Sequence, residues 1–327
     1  MSARQHLGAV KRRAEEWWRP DERAVRARVA EGLTLPPLPT RRRRFGRPGA
    51  DTVWAVTMVK NEADIIARTL QHLLEQEVDG ILVADNGSTD GTRAIVEELA
   101  SSAPIFLADD REPAFFQGPK MTRLSHWARR AGAAWVVPFD ADELWFARSQ
   151  TVGAYLRQSR ATVVRAAIFN VAPVDAGVRL GDDAGWVMGR QPSWWKKVAF
   201  RPHPFMAVAM GNHEVDRPGL PVDGLGIAHL PYRSLDQMAS KLRAGAASLR
   251  SIPGSSGLHW RDLGSISDED LGEVWSQLLA GGAGERVQWL PEGELEPVDV
   301  FSWSSWSSDV PLVPQESTTV ASKPRSA

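Results

Sequence analysis

Three apolar runs in this chain each end in acidic and amide side chains, and chemistry would gather at those ends. Val53–Val59 leads into Lys60-Asn61-Glu62. Gly80–Asp85 leads into Asn86-Gly87-Ser88-Thr89-Asp90-Gly91-Thr92, and Trp135–Asp140 into Ala141-Asp142-Glu143. An ionised carboxylate only accepts hydrogen bonds, so Asp85 at a strand end can take a base N–H or a ribose hydroxyl. Ser88 and Asp90 alone read as caps of the helix that follows. In extended backbone, residues i and i+2 point to the same side, so Asp140 and Asp142 are expected to present their carboxylates together to one divalent cation. D-x-D also occurs by chance in acidic turns; its position after a buried strand, opposite Asp85, favours the metal.

The elements that would hold these ends follow from periodicity. Helical spacing covers Asn61–Gln76, with Ile66, Leu70, Leu73 and Leu74 on one face, then Thr89–Leu99 and Lys120–Ala131, and Pro104–Leu107 is a further short strand. Strands alternating with helices imply an α/β fold with a mostly parallel sheet and helices on both faces. In such sheets ligands sit outside the carboxyl ends of the strands, so the three ends face one crevice. Beyond Ser149 the pattern is less regular, with short strands at Val163–Phe169 and Val198–Phe200 and helices at Leu235–Leu249 and Asp268–Leu279. The organisation expected is a basic leader and Pro/Arg linker (1–50), a main domain (51–250), a helical C-terminal extension (251–300) and a disordered tail (301–327).

Composition narrows the function classes. The chain has no cysteine, which excludes disulfides, thiolate catalysis, zinc–cysteine sites and iron–sulfur clusters. Net charge is -1, yet residues 1–50 hold 13 Lys/Arg against 5 Asp/Glu, so the body is acidic and nucleic acid is a disfavoured partner. The basic leader, with Trp17 and Trp18, fits a solubilising tail or a peripheral contact with an anionic membrane surface. No apolar stretch reaches the length of a bilayer span, and a cytoplasmic location is expected.

MVKNEADIIARTLQHLLEQEVDGILVADNGSTDGT, followed by WVVPFDADELWF, resembles the family 2 glycosyltransferases of the GT-A fold. It is most similar to the bacterial subgroup whose first strand ends Val-Lys/Arg-Asn-Glu. IAHLPYRSLDQMASKL (Ile227–Leu242) is similar to that subgroup's His-x-x-Tyr-Arg-Ser segment. The resemblance implies a GT-A Rossmann-like domain that moves a sugar from a nucleotide-diphosphate sugar to a glycan, lipid-linked or other hydroxyl acceptor. It further implies inversion and a place in surface or extracellular polysaccharide synthesis; a non-catalytic nucleotide-sugar-binding module is the alternative. Asp85 would contact the nucleotide and Asp140 and Asp142 would hold a metal on the diphosphate, with Asp142 in the catalytic set. Asn86 stands where family members commonly carry a second Asp.

Around this frame, Asn61, Glu62, Asp85, Asn86, Lys120 and Arg123 are the expected nucleotide and diphosphate contacts. Lys196 and Lys197 also offer positive charge there. In this fold the metal-binding histidine comes late in the chain, which favours His229 over His213 as third ligand; His72 reads as helix packing. Carboxylate and imidazole together suit Mn²⁺, with Mg²⁺ next. Glu214 is the expected general base, with Asp175 and Glu143 behind it. Trp194 and Trp195 either stack on a sugar ring or pack against the strand ending at Phe200.

Overall fold

A computed structural model of the chain describes residues 20–39, 51–182, 184–249, 266–280, 288–310 and 312. Part of the leader docks on the domain: helix α1 (Pro20–Gly32) and the two-residue strand β1 (Leu33–Thr34). Val29 and Leu33 are buried, Arg28 forks onto Glu112 (3.0 and 2.7 Å), and the Trp127 indole donates to Pro36 O at 2.8 Å. The Trp17-Trp18 pair and the Arg41–Arg44 run lie outside the described residues.

The alternation then appears as expected: β2 (Val53–Val59), α2 (Ile66–Glu75), β3 (Gly80–Asp85), α3 (Thr92–Ser102), β4 (Ile105–Asp110), α4 (Gln117–Ala131) and β5 (Trp135–Pro138). β2 pairs in parallel with β3 and β5, and β3 with β4. Every residue of β3 is buried, as a strand covered on both faces requires. Ile66, Leu70 and Leu73 place one apolar stripe of α2 on the sheet. On the opposite face Trp54, Phe106 and Trp127 meet with ring centroids 5.5 Å apart.

The second half adds β6 (Glu143–Phe146), α5 (Val152–Gln158), β7 (Val163–Pro173), β8 (Trp186–Gln191), β9 (Lys196–Phe200), the β10 (Ala207–Val208) and β11 (Val215–Asp216) ribbon, and β12 (Pro221–His229). Helices α6 (Leu235–Leu249) and α7 (Asp268–Leu279), strand β13 (Glu292–Val298) and the short helix α8 (Trp303–Trp306) follow. The large sheet runs β1-β4-β3-β2-β5-β9-β7-β12-β6, with β8 branching from β7 to pair with β13. The parallel first half is thus extended by antiparallel β9 and β6 around a parallel β7–β12 pair. This insertion sets His229 at the register position of Asn170 on one side and Glu143 on the other. A Cβ at Gly226 would fall 2.3 Å from the Phe146 ring, so glycine there lets β12 lie against β6.

The expected disordered tail is corrected over its first part. Val300, Val310 and Leu312 are buried in the same core as β2 and β7, and Trp306 meets Phe146 edge-on at 4.9 Å. Apolar anchors spaced among serines are enough to dock this segment; residues 313–327 lie outside the described ones. The 251–300 extension holds a strand as well as its helix, because β13 finds the free edge of β8.

His72 on α2 is buried, with Nε2 2.6 Å from Trp145 O, so it donates there and its Nδ1 has no hydrogen-bond partner among the described residues. Burial lowers its pKa from 6.5 to about 4. The neutral form is the one the fold favours, so stability present above pH 6.5 is lost as pH falls towards 4, on the order of 3 kcal/mol in full. His72→Gln, which keeps a donor for Trp145 O without a titrating ring, should flatten that acid limb in denaturant titrations; an unchanged limb would place the acid sensitivity elsewhere.

Candidate functional site

The first two strand ends are stitched together. Asn61, in left-handed backbone (φ 56°), donates its N–H to Ser88 Oγ at 3.0 Å and accepts Thr89 N–H on Oδ1 at 2.8 Å. Glu62 N–H donates to Thr92 Oγ1 and Ala63 N–H to Asp90 Oδ2. Asp85 is 4% exposed; it accepts Ser88 N–H and lies 3.8 Å from Arg93. Asn61, Glu62 and Asp85 therefore share one edge.

The other three expected nucleotide contacts are spent on the protein. Asn86 donates its amide to Asp110 O (3.3 Å) and Glu112 O (2.8 Å), which clamps β3 to the turn after β4. Lys120 has no exposed surface; its ammonium is paired with Asp110 at 2.7 Å and donates to Glu112 O at 2.6 Å. Arg123 faces α1, where it donates to Ala30 O at 3.4 Å, and burial lowers its pKa. Helical position alone did not reveal that α1 and the β4 turn would take up these cations.

The acidic segment after β5 is a turn, not extended backbone: Glu143 N–H donates to Asp140 O, and Asp140 N–H donates to Glu143 Oε2 at 3.0 Å. The period-two rule does not apply in a turn, and the two aspartates part company. Asp140 meets Lys197 at 2.5 Å and accepts from Gln117 and Asn212, each at 3.2 Å. Lys197 also pairs with buried Glu143 at 2.8 Å. Burial disfavours the Lys197 charge, but Asp140 and Glu143 outweigh it and raise its pKa; burial pushes Glu143 up to about 7 against the pull of Lys197. Asp142 is paired with Lys241 on α6, and its Oδ2 stands 3.5 Å from His229 Nε2. Burial opposes its ionisation, yet Lys241, His229 and Arg233 together hold it well below the ordinary carboxylate range.

His229 is oriented by its neighbours. Asn170 donates Nδ2 to Leu290 O at 3.0 Å, which turns its Oδ1 to His229 Nδ1 at 2.9 Å. Nδ1 then donates to that oxygen, and burial lowers the pKa of the ring although Asp142 pulls it up. Nε2 faces a carboxylate oxygen of Asp142. Two ligands about 2.1 Å from one cation lie roughly 3 to 4 Å apart, so this pair fits a divalent ion that draws its other ligands from substrate and water. No group of three or more His, Cys, Asp or Glu side chains gathers for a metal among the described residues. His213 is elsewhere: it stacks on Trp195 and its Nδ1 lies 2.9 Å from Lys196 O. Glu214 and Asp175 are exposed, Glu214 beside His213 and Asp175 in the loop after β7.

Sequence reasoning missed Arg233, Asn170 and Lys241. Arg233 is 3% exposed and ties the first strand end to the histidine segment, bonding Asp64 at 2.6 and 2.9 Å, Glu62 at 2.8 Å and Leu230 O at 3.1 Å. Burial raises the Glu62 pKa to about 7 although Arg233 and Lys241 lower it. The signal was present as two acids spaced by two residues, Glu62 and Asp64, whose partner lay far down the chain.

Residues 54–207 match the family described as Glycosyl transferase family 2. Over those residues the chain is similar to the family 2 glycosyltransferases. Among solved structures, S. aureus TarS 1–349 in complex with UDP is 13% identical over 69% of this chain and 72% of that chain, with a TM-score of 0.34. Glucosyl-3-phosphoglycerate synthase from Mycobacterium tuberculosis, in complex with Mn²⁺, UDP and phosphoglyceric acid, is 19% identical over 64% and 86%, with a TM-score of 0.32. A comparison with curated proteins finds no match. His229, Arg233 and Lys241 lie beyond the matched residues, so their assignment stands on geometry. No helix among the described residues is long and apolar enough to cross a membrane.

Arg233→Met should strand two acids at the crevice and destabilise the fold by about 2 to 4 kcal/mol, below the range for a fully buried pair because Asp64 is partly solvated. Thermal melts would show it, and an unchanged melting temperature would contradict the role of Arg233 as tie.

Proposed function

We propose that the protein transfers a glycosyl group from a nucleotide-diphosphate sugar to a hydroxyl acceptor, with a divalent cation seated on Asp142 and His229. The observation that carries this reading is the Nε2 of His229 lying 3.5 Å from the buried Asp142 carboxylate while Nδ1 faces Asn170. Imidazole nitrogen and carboxylate oxygen at that spacing are the donor set a divalent ion takes. A divalent ion held there, Mn²⁺ before Mg²⁺, would supply Lewis-acid stabilisation of the charge growing on the leaving diphosphate.

The chain's own residues divide the remaining work. Asp85 and the stitched Asn61–Ser88 loops offer acceptors and backbone donors to base and ribose. Asp140, oriented by Gln117, Asn212 and Lys197, lines the crevice beside the reacting sugar instead of joining Asp142 on the ion. Lys241, attached to Asp142 from α6, is placed to exchange that carboxylate for a phosphate oxygen. Glu214 is the base this reading assigns to the acceptor hydroxyl. Inversion and a place in surface or extracellular polysaccharide synthesis rest on the resemblance to the bacterial subgroup.

A panel of nucleotide sugars assayed for nucleoside diphosphate release tests this directly. Release should stop with a chelator and return with Mn²⁺. Asp142→Asn and His229→Ala should each lower kcat by about a hundredfold or more, whereas Asp85→Ala should raise the donor KM about tenfold with metal saturating. Chelator-sensitive turnover surviving in His229→Ala would remove it from the metal seat. Nucleotide binding without release from any donor would leave a binding module.

A further inference from the structure

Beside Asp140 stands an aromatic surface that the donor reading does not use. Trp194 and Trp195 are 64% and 43% exposed although they directly precede β9, so they do not pack against the strand ending at Phe200. Their ring centroids are 4.4 Å apart, and Trp195 stacks on His213 at 4.8 Å with 28° between planes. Neighbouring exposed indoles are costly in water and mark contact sites.

This surface is built, and built onto the D-x-D segment. Gly211 (φ 77°) and Asn212 (φ 57°) both take left-handed backbone, which folds His213 back towards Trp195. A Cβ at Gly211 would lie 2.3 Å from the His213 ring, so only glycine permits the fold-back. Gln117 accepts Gly211 N–H at 2.7 Å while donating to Asp140 at 3.2 Å, so one side chain anchors both. Asn212 is fully buried and donates to Asp140, while its Oδ1 has no hydrogen-bond partner among the described residues. The flank is polar: Lys196 pairs with Asp223 at 2.7 Å, Arg165 pairs with the same carboxylate at 2.8 Å, and Glu214 is exposed next to His213.

We propose that Trp194, Trp195 and His213 form the acceptor subsite and that the acceptor presents a pyranose ring to it. The inference rests on the glycosyl-transfer reading above. A pyranose has an apolar C–H face that stacks on indole and an equatorial rim of hydroxyls that suits charged hydrogen-bond partners. An acyl chain would cover the indoles but leave that charged flank desolvated without partners. The indoles precede β9, whose Lys197 touches Asp140, so a ring stacked there carries its hydroxyl to the reacting edge.

The test uses the full chain with Mn²⁺ and saturating nucleoside diphosphate, and titrates maltotriose, cellotriose and chitotriose by intrinsic fluorescence and saturation-transfer NMR. At least one trisaccharide should bind. Trp195→Ala should weaken it about tenfold or more, Trp195→Phe should retain most of the affinity, and Gly211→Ala should weaken it without touching an indole. Affinity for the nucleoside diphosphate should stay within about twofold in all three variants. Wild-type sugar affinity in Trp195→Ala, or no sugar binding by the nucleotide-loaded wild type, would overturn the assignment. Vesicles of phosphatidylglycerol that bind the wild type and lose Trp195→Ala would overturn it in favour of a lipid surface. Failure of the donor reading shows separately, as a wild-type chain that does not bind nucleoside diphosphate, and it removes the acceptor assignment with it.

Discussion

Removing a carboxylate from water costs several kcal/mol unless a cation accompanies it, and the strand-end edge of this protein is organised by that requirement. Asp110 is matched by Lys120, Asp140 and Glu143 by Lys197, Glu62 and Asp64 by Arg233, and Asp142 by Lys241. The acids come from the first parallel half of the sheet and the turn after it. Three of the four cations come from elsewhere: Lys197 from β9, Arg233 from the segment after β12, and Lys241 from α6. The crevice is therefore complete only when the second half of the chain has docked. This explains why residues beyond the family match carry so much of the site.

The same charge matching bears on how a diphosphate would be received. Lys120 and Lys197 are buried and committed to acids, so they have little left to offer an incoming anion. An arriving diphosphate brings negative charge into a cleft that is already balanced, and an added divalent cation offsets it. Under the proposed function the Asp142–His229 pair, oriented from behind by Asn170 and Leu290, would be the seat for that ion.

Much of this was legible before any coordinates. The strands Val53–Val59 and Gly80–Asp85 and the helices Leu235–Leu249 and Asp268–Leu279 have the ends that periodicity predicts, because their apolar patterns are strong and their stops are Gly, Asp or polar clusters. The first half of β12 was not legible. It opens Pro221-Val222-Asp223-Gly224 and owes its place to Phe146 crossing Gly226, a long-range fact with no local signature. Among site residues, Asp85, Asp142 and His229 carry signals of type and position. Lys120 and Arg123 were misread because a cation on a helix says nothing about which neighbour will claim it. Asp140 was separated from Asp142 because the chain turns where extended geometry was assumed.

The central claim is that Asp142 and the Nε2 of His229 share one divalent ion. Pulsed electron paramagnetic resonance of Mn²⁺ bound to the full chain with nucleoside diphosphate reads this most directly, since a coordinated imidazole nitrogen modulates the electron spin echo. Nitrogen modulation is expected in the wild type and in His213→Ala, with its loss in His229→Ala. Modulation that survives in His229→Ala, or that disappears in His213→Ala instead, would contradict it.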